Sequence, residues 1–240
     1  MNIIKLISDK TKNKAKAKTP VIAFLGDSVT QGCFEIYRKN NAELKSRYDK
    51  SCAYHNYIAR IFNLIFPESP ITIINAGVGG DTAAGGLKRL ERDVLAYKPD
   101  LTVVCFGLND CGNSIELYTE SLRRIFIQLK NSGSEVIFMT PNMMNTSISC
   151  HTDNTKDSEL ICIASKTLRL QTDGIMDRYI DAAKRVASEY DIPICDVYKK
   201  WKTLAENNVD TTELLANKIN HPIREMNWLF AYSLIETMMQ

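Results

Sequence analysis

The sequence predicts an α/β fold with five parallel strands in one sheet and helices packed on both of its faces. Two observations predict it. Short apolar, β-rich runs recur along the chain and are continuous rather than alternating, as strands covered on both faces must be. Segments of helical periodicity separate them, and strand–helix alternation of this kind winds into a parallel sheet with right-handed crossovers. The runs are residues 21–25, 71–75, 101–106 and 135–140, with a shorter fifth at 193–197. Between them, Tyr57, Ile58, Ile61, Phe62 and Ile65 form one helical stripe, and Leu87, Leu90, Val94 and Leu95 a second. Leu117, Leu122, Ile125 and Leu129 form a third, Ile175, Tyr179, Ala182, Ala183 and Val186 a fourth, and a segment from about 223 to 239 a fifth. These stripes are read as core faces. Two polar stretches, 35–51 and 142–170, fit no element and read as insertions flanking a site, with short helices of their own.

At 240 residues the chain is long enough to bury a core without disulfides or metals. Apolar residues make up 45% and charged residues 24%, the balance of an ordinary globular protein. A net charge of +2 gives no reason to expect a nucleic-acid partner. The one basic cluster, Lys10 to Lys18, reads as a solvated, frayed N-terminal segment, so that residues 1–19 form an extension and 20–240 a single domain. The apolar stretch at the N-terminus is too short for a signal sequence, and no run approaches the ~20 residues of a membrane span. Seven cysteines with no C-x-x-C pair point to reduced thiols and a cytoplasmic location.

Chemistry-bearing residues fall where strands end, which is where open α/β sheets bind ligands. The first strand runs out at Gly26-Asp27-Ser28. Read alone, Ser28 is first a helix N-cap; it is also well placed for a nucleophile. The second strand ends in Gly77-Val78-Gly79-Gly80-Asp81-Thr82. That segment suits a turn capped by Asp81 or Thr82, or a backbone donor at Gly80, and lacks the spacing of a phosphate-binding loop. The third ends in Gly107-Leu108-Asn109-Asp110, where Asn109 is a turn residue or a neutral amide donor. Of the three histidines, His55 falls on a helix and His151 in a long loop. His221 is followed by Pro222, which would fix the chain as it enters the last helix and give a general base a rigid mount.

Together and in this order, the blocks Gly26-Asp27-Ser28, Gly77 to Thr82, Gly107 to Asp110 and His221-Pro222 resemble those of the SGNH (GDSL-like) hydrolases. The resemblance implies a flavodoxin-like three-layer α/β/α sandwich. It implies Ser28 as nucleophile, His221 as its base, and an oxyanion hole from Ser28, Gly80 and Asn109. No metal or cofactor is implied. The substrate class is a small-molecule ester, with acetylated sugars among the candidates. Longer acyl chains, as in a lysophospholipase or thioesterase, and a non-catalytic carbohydrate-binding relative are the alternatives. One departure stands out: the family's aspartate three residues before the histidine is Lys218 here. The ring would then be oriented by Asn217, a backbone carbonyl, Glu213 or Asp210, leaving a Ser–His dyad with its third member unassigned.

Overall fold

The computed structural model describes residues 1–38, 43–149 and 158–240. Helix α1 (Asn2–Lys12) precedes β1 (Val21–Gly26), which runs into a single helical turn, α2 (Ser28–Gln31). A hairpin of β2 (Cys33–Arg38) and β3 (Leu44–Tyr48) leads to α3 (Tyr54–Ile65). Then come β4 (Thr72–Gly77), α4 (Ala83–Asp93), β5 (Leu101–Cys105), α5 (Ile115–Asn131) and β6 (Glu135–Met139). Helices α6 (Ser158–Thr172) and α7 (Ile175–Glu189) lead to β7 (Ile194–Cys195), and α8 (Val197–Glu206) and α9 (Asn227–Met239) follow.

The sheet has the order β4-β1-β5-β6-β7, and every neighbouring pair is parallel. In chain order of its strands this is 2-1-3-4-5, the flavodoxin-like winding, whose reversal lies between β1 and β5. Helices on both sides explain the unbroken apolar runs: Ile22, Ala23, Phe24 and Leu25 of β1 are fully buried, as are Leu101, Val103 and Val104 of β5. Gly26 lies level with Gly77 on one side and Cys105 on the other, so three strands end together beneath one surface.

The structure departs from the sequence expectations in several places. The N-terminus is not frayed: α1 buries Ile3 and Ile7 completely, and the Asn2 and Ile3 N–H groups donate to the Glu135 carboxylate at 2.9 Å each. Lys10 turns inward, its ammonium donating to the Lys14 and Ala17 carbonyls. The apolar i, i+4 spacing of Ile3 and Ile7 was the signal for this helix. Within the stretch 35–51 the described residues form most of the antiparallel pair β2 and β3, and a short 3-10 helical turn follows at Lys50–Cys52. On α5, Leu117 is 57% exposed, and Tyr118 takes the core position, donating its hydroxyl to the Phe106 carbonyl at 2.9 Å. Helix α8, which buries Trp201, had no reading in the sequence. Pro222 does not open the last helix. It forms an isolated antiparallel bridge with Leu215, and α9 starts at Asn227. His151 lies outside the described residues. Among those residues, no helix is long and apolar enough to cross a membrane, and six cysteines are free thiols.

Candidate active site

Ser28 is the first residue of α2, and the cap is Asp27, whose Oδ1 accepts the Val29 N–H at 2.9 Å. The cap reading of Ser28 therefore gives way, and its hydroxyl is available for another partner. That partner is His221: Oγ and Nε2 are 2.9 Å apart, and both residues are buried. The other ring nitrogen, Nδ1, lies 3.1 Å from the Phe34 carbonyl oxygen. A carbonyl can only accept, so Nδ1 carries the ring proton. Burial pushes the His221 pKa down to about 4, against the opposing pull of the Phe34 carbonyl and of Glu35. The ring is therefore neutral near pH 7, and its Nε2 lone pair accepts the Ser28 O–H.

The loop that carries His221 is organised by Asn217. Its Oδ1 accepts the N–H groups of Ile219, Asn220 and His221 at 2.9–3.0 Å. Asn142, just beyond β6, donates to the Asn220 carbonyl at 2.9 Å and ties the loop to the end of the sheet. Lys218 adopts a left-handed conformation (φ 56°) and donates to the Glu213 carboxylate at 2.7 Å. Asp210 accepts the Thr212 N–H. Of the groups considered for orienting the ring, the backbone carbonyl does so, and Asn217 shapes the loop instead.

The segment after β4 passes directly over the nucleophile. A Cβ added at Gly77 would fall 2.2 Å from the Gln31 nitrogen, so α2 and the end of β4 meet backbone to backbone. Gly79 donates its N–H to the Gln31 side-chain oxygen at 2.7 Å, and a Cβ added there would stand 4.0 Å from Ser28 Cβ. Gly80 has φ +74°, with nothing within 4 Å of where its Cβ would be. Its N–H has no acceptor among the described residues. Thr82, not Asp81, caps α4. Asn109 donates one amide N–H to the Asp81 carbonyl at 2.9 Å, which leaves its second N–H unassigned.

Two features beneath this surface were missed in the sequence. Arg89, nearly buried on α4, pairs with Asp81 at 2.7 Å and donates to the Ala76 and Gly26 carbonyls at 2.6 and 2.9 Å. One guanidinium thus joins the ends of β4 and β1. Asp110 accepts the Ala83 N–H with Oδ1, while its buried Oδ2 has no partner among the described residues. Burial raises both Asp110 and Asp27 to about 7. His55 is also buried, packed against Phe24 and Tyr54, with its pKa lowered to about 4 by burial. Among the described residues no group of three or more His, Cys, Asp or Glu is placed to hold a metal ion.

The sequence profile of the GDSL-like lipase/acylhydrolase family matches residues 24–228, from β1 to the start of α9. The chain belongs to this family. Among its relatives, an acetylxylan esterase of Geobacillus stearothermophilus is 26% identical over 132 residues, 50% of this chain and 58% of that protein. An arylesterase of Vibrio mimicus is 34% identical over 97 residues, 37% of this chain and 48% of that protein. The matched stretches thus span about half the length of these curated relatives. Among solved structures, the lipase/acylhydrolase of Enterococcus faecalis superposes with a TM-score of 0.65 at 22% identity, covering 92% of this chain and 95% of the other. The crystal structure of the Geobacillus acetylxylan esterase gives 0.66 at 20%, covering 91% and 94%. At these identities the structural likeness establishes the GDSL-type fold. It agrees with the sheet order described above.

Proposed function

We propose that the chain is a serine esterase that hydrolyses small or short-chain carboxylic esters, acetyl esters of carbohydrates among them, through a Ser28 acyl-enzyme. The observation that carries this reading is the 2.9 Å contact between Ser28 Oγ and His221 Nε2. As Oγ attacks the ester carbonyl, its proton passes to His221 Nε2, and the imidazolium that forms is held by its Nδ1–H bond to Phe34. Negative charge on the carbonyl oxygen falls to the Ser28 and Gly80 N–H groups and the second N–H of Asn109. Collapse of the tetrahedral intermediate expels the alcohol, which takes the proton back from Nε2. Water, deprotonated by the same nitrogen, then cleaves the acyl-enzyme and restores Ser28. The sequence uses no metal and no cofactor. The names of the relatives, an acetylxylan esterase and an arylesterase, support an ester substrate, and the first supports an acetyl group. The reading treats 20–240 as one hydrolase domain and 1–19 as an extension docked on it.

Hydrolysis of p-nitrophenyl acetate and p-nitrophenyl octanoate by the wild type and by Ser28→Ala tests it. Acetate turnover lost in the variant is expected. Wild-type turnover no faster than the variant's would point to a binding protein, and a preference for octanoate to an enzyme of longer acyl chains.

A further inference from the structure

His221 is held in its reactive orientation by a backbone carbonyl on a hairpin outside the main sheet. That is a weak mount by itself. Among the described residues β2 pairs only with β3, and two-stranded ribbons are marginal without further support. The ladder is moreover irregular between Cys33 and Ile36, the interval that contains Phe34.

Arg224, three residues beyond His221, grips this interval. Its two terminal nitrogens fork onto the Glu35 carboxylate at 2.6 and 3.2 Å. Its Nε donates to Asp49 at 3.2 Å, and its guanidinium carbon lies 4.4 Å from the centre of the Phe34 ring. Asp49 in turn donates its backbone N–H to the Gly32 carbonyl at the end of α2. One side chain therefore contacts Phe34, the residue after it and the residue that closes the hairpin, and it is carried by the loop that carries the histidine. Planar bidentate pairing of this kind fixes geometry as well as charge, which an ammonium would not.

We propose that Arg224 is a positioning residue: by fixing the Phe34 carbonyl against Nδ1, it does through the backbone what an acid at position 218 would do directly. The proposal rests on the Ser28–His221 reading given above. It differs from a purely stabilising role for Arg224 in predicting a change at the imidazole itself.

The test is the 15N spectrum of the imidazole side chains in the full-length protein, alongside steady-state hydrolysis of p-nitrophenyl acetate. His55, His151 and His221 are distinguished by single His→Gln variants. In the wild type, His221 should show one tautomer, protonated at Nδ1. In Arg224→Ala it should average between tautomers, with kcat lower by roughly 10- to 100-fold and KM little changed, the size expected from sub-ångström to 1 Å misplacement of a catalytic group. Arg224→Lys should fall between the two. Glu35→Gln, which removes the fork while keeping the side-chain shape, should move His221 in the same direction and covers the case in which Arg224→Ala does not fold. An unchanged tautomer in Glu35→Gln and in whichever Arg224 variants fold would overturn the proposal, even if the melting temperature falls. Full activity in Ser28→Ala would instead overturn the dyad, and the imidazole spectrum would still judge the clamp.

Discussion

Replacing Asp110 with asparagine should tilt the pH dependence of stability by an amount that follows from the structure. Burial holds the Asp110 carboxyl at about 7, against 3.8 for a free aspartate. A group raised in this way stabilises the folded state fully below pH 3.8, and that contribution is lost as the pH climbs to about 7. Each proton held by the folded but not the unfolded chain lowers stability by about 1.4 kcal/mol per pH unit, so the loss over this window is about 4 kcal/mol. Asp27, also held at about 7, acts in the same direction. The two buried histidines act in the opposite one. His55 and His221 lie near 4 against 6.5 for a free histidine, and their contribution is lost as the pH falls from 6.5 through 4. Two aspartates and two histidines therefore nearly cancel between about pH 4.5 and 6.5.

Asp110→Asn removes one aspartate from that balance. Its oxygen can still accept the Ala83 N–H, while its NH2 replaces the unpartnered Oδ2 at a cost of about 1–3 kcal/mol that does not vary with pH. The stability of the variant relative to wild type should therefore rise by about 1.4 kcal/mol per pH unit between about pH 4.5 and 7. Urea unfolding of both proteins at several pH values in this range measures it, and the constant offset drops out of the comparison. A difference flat to within about 0.5 kcal/mol would refute the reasoning, because it would mean that Asp110 is ionised in the folded state at every pH tested.

Three further outcomes are expected. Because burial keeps the His221 ring neutral down to about 4, kcat/KM for p-nitrophenyl acetate should rise through that region and level off above it. A midpoint near the free-histidine value would contradict the buried ring. Asn109→Ala should lower kcat by about 100-fold with KM little changed, the usual cost of one oxyanion donor; a loss of less than about threefold would remove Asn109 from that role. Ile7→Ala, at a fully buried position on α1, should cost about 2–5 kcal/mol in urea unfolding, whereas a solvated N-terminus would cost nothing.

Much of the fold was legible because burial on both faces leaves a direct mark in the sequence. Runs such as 21–25 and 101–106 can be continuous and apolar only where helices cover them, and all five strands lie where those runs predicted. The elements that were misread carry weaker marks. Strand β3 is polar and mostly exposed, and β2 buries only its first two residues, Cys33 and Phe34, so 35–51 carries no long apolar run to mark it as strand. Leu117 and Tyr118 are adjacent, and which of them faces the core depends on where α5 rolls against the sheet. Ser28, Gly80, Asn109 and His221 stood out as candidates because each sits in a short motif at or near a strand end or before the last helix.

The residue types at the candidate site, a serine and two donor motifs at strand ends followed by a single well-placed histidine, were determined by the sequence alone. So was the absence of an acid at position 218. What orients His221 was decided only in three dimensions. The group is the carbonyl of Phe34, 187 positions away in the chain, and every residue has a carbonyl, so no side-chain pattern could single it out. The pKa of the ring was equally out of reach, because it follows from the exclusion of water by segments that meet only when the chain has folded.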